Sequence, residues 1–360
     1  MAAFRTVSLS LAAMAAALVA SPVLADAGMI AGTDVLRTWN LVVLGDLTSS
    51  SEVEGRTFVG GDLNGNSSNY QIQPIAASST GTPGLTVVGD VNGGAKNLNN
   101  GSGAVVGGNV NSGLNLNGAA QTVLVGGSIA NTNVNQNTVT SGLSASDPAF
   151  AQNLTQQKSL IETSMTGLSS TMGTQASNSQ LTISGNTGTF DAQPDSSGVA
   201  VFNISAADLD SIGEIKFNLN GADTAIVNVT GASVTLDDNF LGGTQNLGEH
   251  VIWNFPDATS LSLSTAWGGS VLAPKAAATT ANYIQGSAVF GSLVQNGEMH
   301  IGTYTGSYQA PSDPGTSTSS GGSTSSSSGG TAVPEPGMVG MFALALGGLL
   351  FWRRRRVAAA

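Results

Sequence analysis

Two histidines and two close carboxylate pairs are the residues of this chain whose types and spacing could do chemistry. His250 precedes Val251-Ile252-Trp253, and His300 lies in Glu298-Met299-His300-Ile301. Neither stands in an H-x-x-x-H spacing, and the chain has no cysteine to complete a metal set. A hydrogen-bonding structural role is the simpler reading of each. Asp208 with Asp210, and Asp237 with Asp238, imitate the acid and nucleophile pair of glycosidases. Asp-Leu-Asp and Asp-Asp-Asn are also ordinary turn chemistry, which is the more economical explanation. Calcium at Asp237-Asp238-Asn239 would lack the Asp/Asn-rich loop such sites use. No G-x-S-x-G elbow surrounds a serine. Gly60-Gly61 and Gly107-Gly108 have no lysine after them, as a phosphate loop would need. Arg56 is expected to pair with Glu52 or Glu54. No catalytic residue, cofactor site or metal site is assigned.

Elements that could position such residues are β-type and repeated. The runs Leu41-Val42-Val43-Leu44-Gly45-Asp46-Leu47 and Thr57-Phe58-Val59-Gly60-Gly61-Asp62-Leu63-Asn64 open the series. Leu85 to Asn92, Ala104 to Asn111 and Thr122 to Ile129 continue it. Each copy is a short β-branched run, then glycine, a small polar residue and an aliphatic. The polar markers fall at 46, 62, 90, 109 and 128, spacings of 16, 28, 19 and 19. Periods near 20 signal a solenoid, whose coils bury their apolar side only by stacking. Glycine at the corner is expected to supply φ > 0, and the asparagine after it to stack along the coil. Trp267 to Leu272 and Val289 to Val294 repeat the pattern, so the C-terminal part should return to the same stack. An antiparallel sandwich with Gly-rich hairpins is the alternative; the strand-corner-strand unit favours parallel rungs.

One segment breaks the β pattern. Asp147-Pro148 offers an N-cap and a first-turn proline. Phe150, Leu154, Ile161, Met165, Leu168 and Met172 then mark one face of an amphipathic helix near 147–172, with Gly167 and Gly173 weakening its end. That stripe should lie along the flank of the stack. Further strands are expected at 181–183, 199–204, 215–219, 225–230, 234–236 and 250–255.

Between Gly28 and Thr331 there are 20 acids and 6 bases, a net of −14. Such a surface repels nucleic acid, so no nucleic-acid partner is expected. Residues 312–330 are almost all Ser, Gly and Thr, the composition of a flexible tether.

Both ends carry targeting patterns. Arg5 precedes an uncharged apolar stretch, Leu9 to Ala20, and Ala25 and Ala27 form the A-x-A of a signal-peptidase site. At the other end stand Pro334-Glu335-Pro336, an apolar segment to Trp352, and Arg353-Arg354-Arg355-Arg356. From Met338 to Trp352 a helix would rise about 22 Å, short of a hydrocarbon core of about 30 Å. The arginines should stay cytoplasmic, so the segment holds the chain in the membrane before processing. This ending resembles the PEP-CTERM signal that exosortase systems process in Gram-negative bacteria. The expected organisation is signal peptide 1–27, β domain 28–308, linker 309–332 and sorting signal 333–360.

The body resembles the choice-of-anchor A family through Asn40 to Asp46, Val53-Glu54-Gly55-Arg56 and Val59 to Leu63. Val251 to Pro256, Gly269 to Pro274 and Gly297 to His300 extend the resemblance. It implies a mainly β, solenoid-like adhesive or surface-matrix domain without a known reaction. In outline the body is also similar to bacterial ice-binding domains that pair a solenoid with a flanking helix. The expected function is an exported surface or matrix adhesin, with a glycan or matrix polymer and the exosortase machinery as partners. A polysaccharide-active enzyme on a β-helix is the alternative. A third is ice binding through Thr132-Asn133-Val134-Asn135 and Thr138-Val139-Thr140, residues that look more like a loop entering the helix.

Overall fold

The computed structural model describes residues 30–78 and 81–310. Within them the protein is mainly β, with large parallel sheets and few helices. Leu41–Val43, Thr57–Val59, Leu85–Val87, Ala104–Val106 and Thr122–Val125 pair in parallel, each with the next, as their shared corner motif predicts. Thr138–Thr140 ends that run. The run begins in the middle of the sheet, because Ala288–Gln295 pairs with the other edge of Leu41–Val43. Outward from it follow Ser270–Thr280, Val251–Asn254, Thr224–Thr230 and Val199–Ser205. The first half of the chain therefore builds outward from the centre. The long helix carries it to the far end, and the second half builds back. The C-terminal repeats do return to the same stack.

A second parallel sheet repeats this order, with Glu52–Val53 meeting Met299–His300 at the seam. A third set runs beside them through Ser233–Leu236, Ser260–Leu263, the ends of Ser270–Thr280 and Ala288–Gln295, and Leu47–Ser49. Only Gln180–Ser184 and Thr187–Asp191 pair antiparallel among the described strands.

Three consecutive apolar residues per rung follow from this geometry. The outer two of each triplet, such as Leu41 and Val43, point into one interior shared by all the sheets. The middle residues Val42, Phe58, Ile226, Ile252, Leu272 and Val289 point the other way, against the helix. A strand buried on both faces loses polar alternation.

The helix Pro148–Gly173 forms as its sequence dictates. Asp147 Oδ1 accepts from Ala149 N at 3.1 Å, Pro148 opens the first turn, and all six residues of the apolar stripe are buried. Gly167 does not interrupt it. Its last turns are clamped by amides of the sheet. Asn254 Nδ2 donates to Ser169 O (2.9 Å), Ser169 Oγ donates to Asn254 Oδ1 (2.6 Å), and Asn228 Nδ2 donates to Met172 O (2.8 Å).

The corner glycines correct the expectation of φ > 0. Gly60, Gly61, Gly89, Gly107, Gly108, Gly126 and Gly127 all lack it. They are glycine because the previous rung occupies the space of a side chain. A Cβ on Gly60 would lie 2.2 Å from Leu44 O, and one on Gly61 2.1 Å from Asp46 Oδ1. That carboxylate accepts from Asp62 N (2.8 Å), Asp62 Oδ1 from Asp90 N (2.7 Å), and Asn109 Oδ1 from Ser128 N (2.9 Å). The polar marker of the repeat is thus the hydrogen-bonded strut between rungs. Gly60→Ala should destabilise by about 2 kcal/mol through overpacking; chemical denaturation checks it, and an unchanged midpoint would contradict the close approach.

Candidate functional site

Most of the chemically promising side chains are in structural use. His250 Nδ1 contacts Asp223 O at 2.9 Å. His300 Nε2 contacts Glu298 Oε2 at 2.8 Å, and its ring stacks on Tyr283 at 4.4 Å with planes 7° apart. Asp208 helps cap the short helix Ala206–Asp210: Ser205 Oγ accepts from Asp208 N (3.0 Å) and donates to Asp208 Oδ2 (2.6 Å).

Asp238 is different. It is wholly buried, and neither carboxylate oxygen has a hydrogen-bond partner. Desolvation, with Asp237 and Asp210 nearby, pushes its pKa up to about 7. A raised pKa suits a general acid, but a general acid must touch the glycosidic oxygen. Asp238 is sealed from solvent in this fold, so its carboxyl is not presented to a glycosidic oxygen. Among the described residues no group of three or more His, Asp or Glu could hold a metal ion.

Raising a carboxyl pKa above its unfolded value makes the native state bind more protons. Stability should therefore fall as pH rises from about 4 to about 7, and stay lowered above. Asp238→Asn should raise stability at pH 8 by on the order of 2 kcal/mol while changing little at pH 4. Melting temperatures at the two pH values check this; equal shifts at both would contradict it.

Arg56 does not pair with Glu52 or Glu54, as the sequence suggested. Its Nε donates to Thr82 O at 3.3 Å and an Nη to Ala76 O. Glu52 instead accepts from Asn69 Nδ2 (3.0 Å), and Glu54 from Ile301 N (2.7 Å), because the seam places those donors closer. Sequence reasoning also missed Lys96. It shares an inward register with Ser68 and Leu114, is fully buried, and reaches Gly65 O (3.1 Å) and Asn66 O (2.6 Å). Burial pushes its pKa down to about 8.

What remains available for recognition is surface. The helix covers the outer side of the first sheet, while the third set of strands is bare. Along it run Thr235, Ser262, Thr279, Val294, Thr48, Asn64, Asn92 and Asn111, one per rung and all partly or fully exposed. Seven rung steps span about 34 Å. Amides lock part of the row: Asn92 Nδ2 donates to Asn64 Oδ1 (3.1 Å) and Asn111 Nδ2 to Asn92 Oδ1 (2.8 Å). A second row, Ser233, Ser260, Ala277 and Ser292, continues at the corner into Asp46, Asp62 and Asp90. Two residues apart in every repeat, these rows were written in the sequence as the polar positions flanking each inward aliphatic.

Thr132 to Asn135 do form a loop, but it leads into the strand Thr138–Thr140 before the helix. Thr132 Oγ1 accepts from Leu114 N (3.0 Å) and Asn133 Oδ1 from Leu116 N (3.2 Å), so they stand in for a missing rung and cap the stack.

The family described as "Putative Ice-binding-like adhesive domain" matches residues 32–301. The chain belongs to this family. The PEP-CTERM protein-sorting motif matches residues 332–356. No curated protein and no solved structure matches the chain. An ice-binding-like adhesive domain joined to a motif read by exosortase machinery makes this an exported, surface-associated bacterial protein. The matched domain is adhesive rather than enzymatic in kind. Ala25, Ala27, Pro334 to Pro336 and Arg353 to Arg356 lie outside the described residues. Among the described residues no helix is long and apolar enough to cross a membrane.

Proposed function

We propose that this member of the ice-binding-like adhesive family is a β-solenoid adhesin, holding its cell to glycan or matrix polymer through the bare polar ladder. The eight-rung row from Thr235 to Asn111 is the observation that carries this reading. Hydroxyls and amides at one spacing make many weak contacts to a repetitive polymer, and display of many copies multiplies them. The choice-of-anchor A resemblance fits the same role. Ice would also meet a Thr/Asn row, but this row interrupts its hydroxyls with Val294 and ends in asparagines, which suits a heterogeneous polymer better.

Export through cleavage after Ala25-Asp26-Ala27 and exosortase processing at Pro334-Glu335-Pro336, with Arg353 to Arg356 held on the cytoplasmic side of a Gram-negative inner membrane, complete the proposal. Mass spectrometry of surface-extracted protein should find molecules lacking the residues after the triplet. An intact C-terminus through Ala360 in most molecules would reduce the segment to a plain anchor. A glycan and matrix-polymer array probed with the purified protein tests the adhesive reading; retention on no surface would overturn it.

A further inference from the structure

Arg56 has lost the acidic partners its sequence neighbourhood offered, and it lines a cavity. The cavity, of about 500 Å³, is also lined by Gln71, Ile75, Pro83, Ser102 and Leu124. That size suits a small ligand or one unit of a larger one. Among the described residues no carboxylate lines it. Among the described residues Arg56 makes no ion pair, and it donates to two backbone carbonyls. A guanidinium carries five N–H donors, so some remain for a ligand. Burial lowers the Arg56 pKa from its usual value, which is the mark of a charge lacking compensation.

Two further polar atoms in the wall have no partner among the described residues. Gln71 Oε1 and Ser102 Oγ are buried and unbonded, and Gln71 is only 5% exposed. Both are sealed behind the wall against Gly84, where a Cβ would lie 2.3 Å from Ser102 Oγ and 2.9 Å from Gln71 Oε1. Ile75, Pro83 and Leu124 supply apolar wall beside them.

We propose that this cavity binds a saccharide unit bearing an anionic substituent, with Arg56 on the anion and the apolar wall against the C–H face. The match is chemical. A fork of N–H donors favours a planar or polyoxygen anion, and sugar hydroxyls both donate and accept. In a body of net charge −14, one uncompensated cation in a cleft selects a single anionic group rather than a polyanionic backbone. The proposal rests on the adhesive reading and deepens it, since it gives the polymer a second, specific point of attachment.

The test uses the full chain in mild detergent, titrated calorimetrically with a galacturonate tetrasaccharide, a sulfated galactose tetrasaccharide and the neutral galactose tetrasaccharide. At least one anionic probe should bind, at least tenfold tighter than the neutral one. Arg56→Gln should lose that preference. Because Arg56 also holds the segment near Ala76, Ala120→Trp serves as a second variant: Ala120 is an exposed cavity residue, and the indole should block entry and reduce binding at least tenfold. Equal binding of all three probes, no binding, or unchanged binding in both variants would overturn the proposal. Retention on the matrix array is measured in parallel. Retention without anionic-sugar binding sinks the cavity proposal alone, whereas loss of retention in the unaltered protein sinks the adhesive reading.

Discussion

Val125→Asp should destabilise the protein by about 4 kcal/mol or more, because it places an unpaired carboxylate in an apolar interior. Val125 is fully buried, pairs in register with Val106, and belongs to the interior shared by all the sheets. The stacked rungs bury the side chain completely, so an introduced carboxylate would be cut off from water. For a body of this size the loss corresponds to a fall in melting temperature of roughly 8–16 °C. Thr122→Asp, three residues earlier on the same strand but exposed, should stay within about 0.5 kcal/mol of the parent. Similar melting of the two variants would mean that the assigned inward register is wrong.

Asn40→Ala should cost about 3–5 kcal/mol, mostly by leaving buried backbone groups unpaired. Asn40 is fully buried at the seam where the two halves of the stack meet. Its Nδ2 donates to Gly286 O (2.7 Å) and His300 O (2.9 Å), and its Oδ1 accepts from Gly55 N (2.9 Å). One side chain thus joins chain passes from the first and last parts of the body. Gly55 has no side chain for the same reason, since a Cβ there would lie 2.6 Å from Asn40 Cβ. Denaturant unfolding measures the cost. A loss below about 1 kcal/mol would show that strand pairing alone closes the seam.

The five N-terminal rungs and the long helix were legible because each is a local pattern: a β-branched triplet before a glycine corner, and an apolar stripe after a capped proline. The order of closure was less so. Nothing local in Leu41-Val42-Val43 says that Ala288 to Phe290 will pair with it; that contact is set by the length of the excursion and the helix that spans it. The second sheet escaped notice because its strands are only two or three residues long and interleaved with asparagine and serine, as in Ser68–Tyr70 and Lys96–Leu98. Nothing beside Lys96 in the chain marks it as buried, and only its register with Ser68 and Leu114 reveals an inward residue. At the corners the residue type was right and the reason wrong. Close approach of the next rung, rather than backbone handedness, demands glycine there. The ladder's polar positions stand in each repeat, yet their alignment depends on a register across the seam that no single repeat encodes.

Residues near the two ends of the body meet on the helix-covered side. Thr33 Oγ1 donates to Tyr308 O at 2.9 Å, and Arg37 lies over the Tyr304 ring and pairs with Asp34. Residues 33–38 share a buried cluster with Ile161 and Met165 of the long helix.

Retention of the protein on immobilised exopolysaccharide from its own host tests the adhesive ladder most directly. Thr48→Glu with Thr279→Glu alters two exposed ladder positions, and Gln152→Glu with Gln156→Glu places the same charge on the exposed side of the helix. Surface plasmon resonance should show at least a tenfold loss for the ladder variant and none for the helix variant. Full retention by the ladder variant, or equal loss in both, would contradict recognition through the bare face.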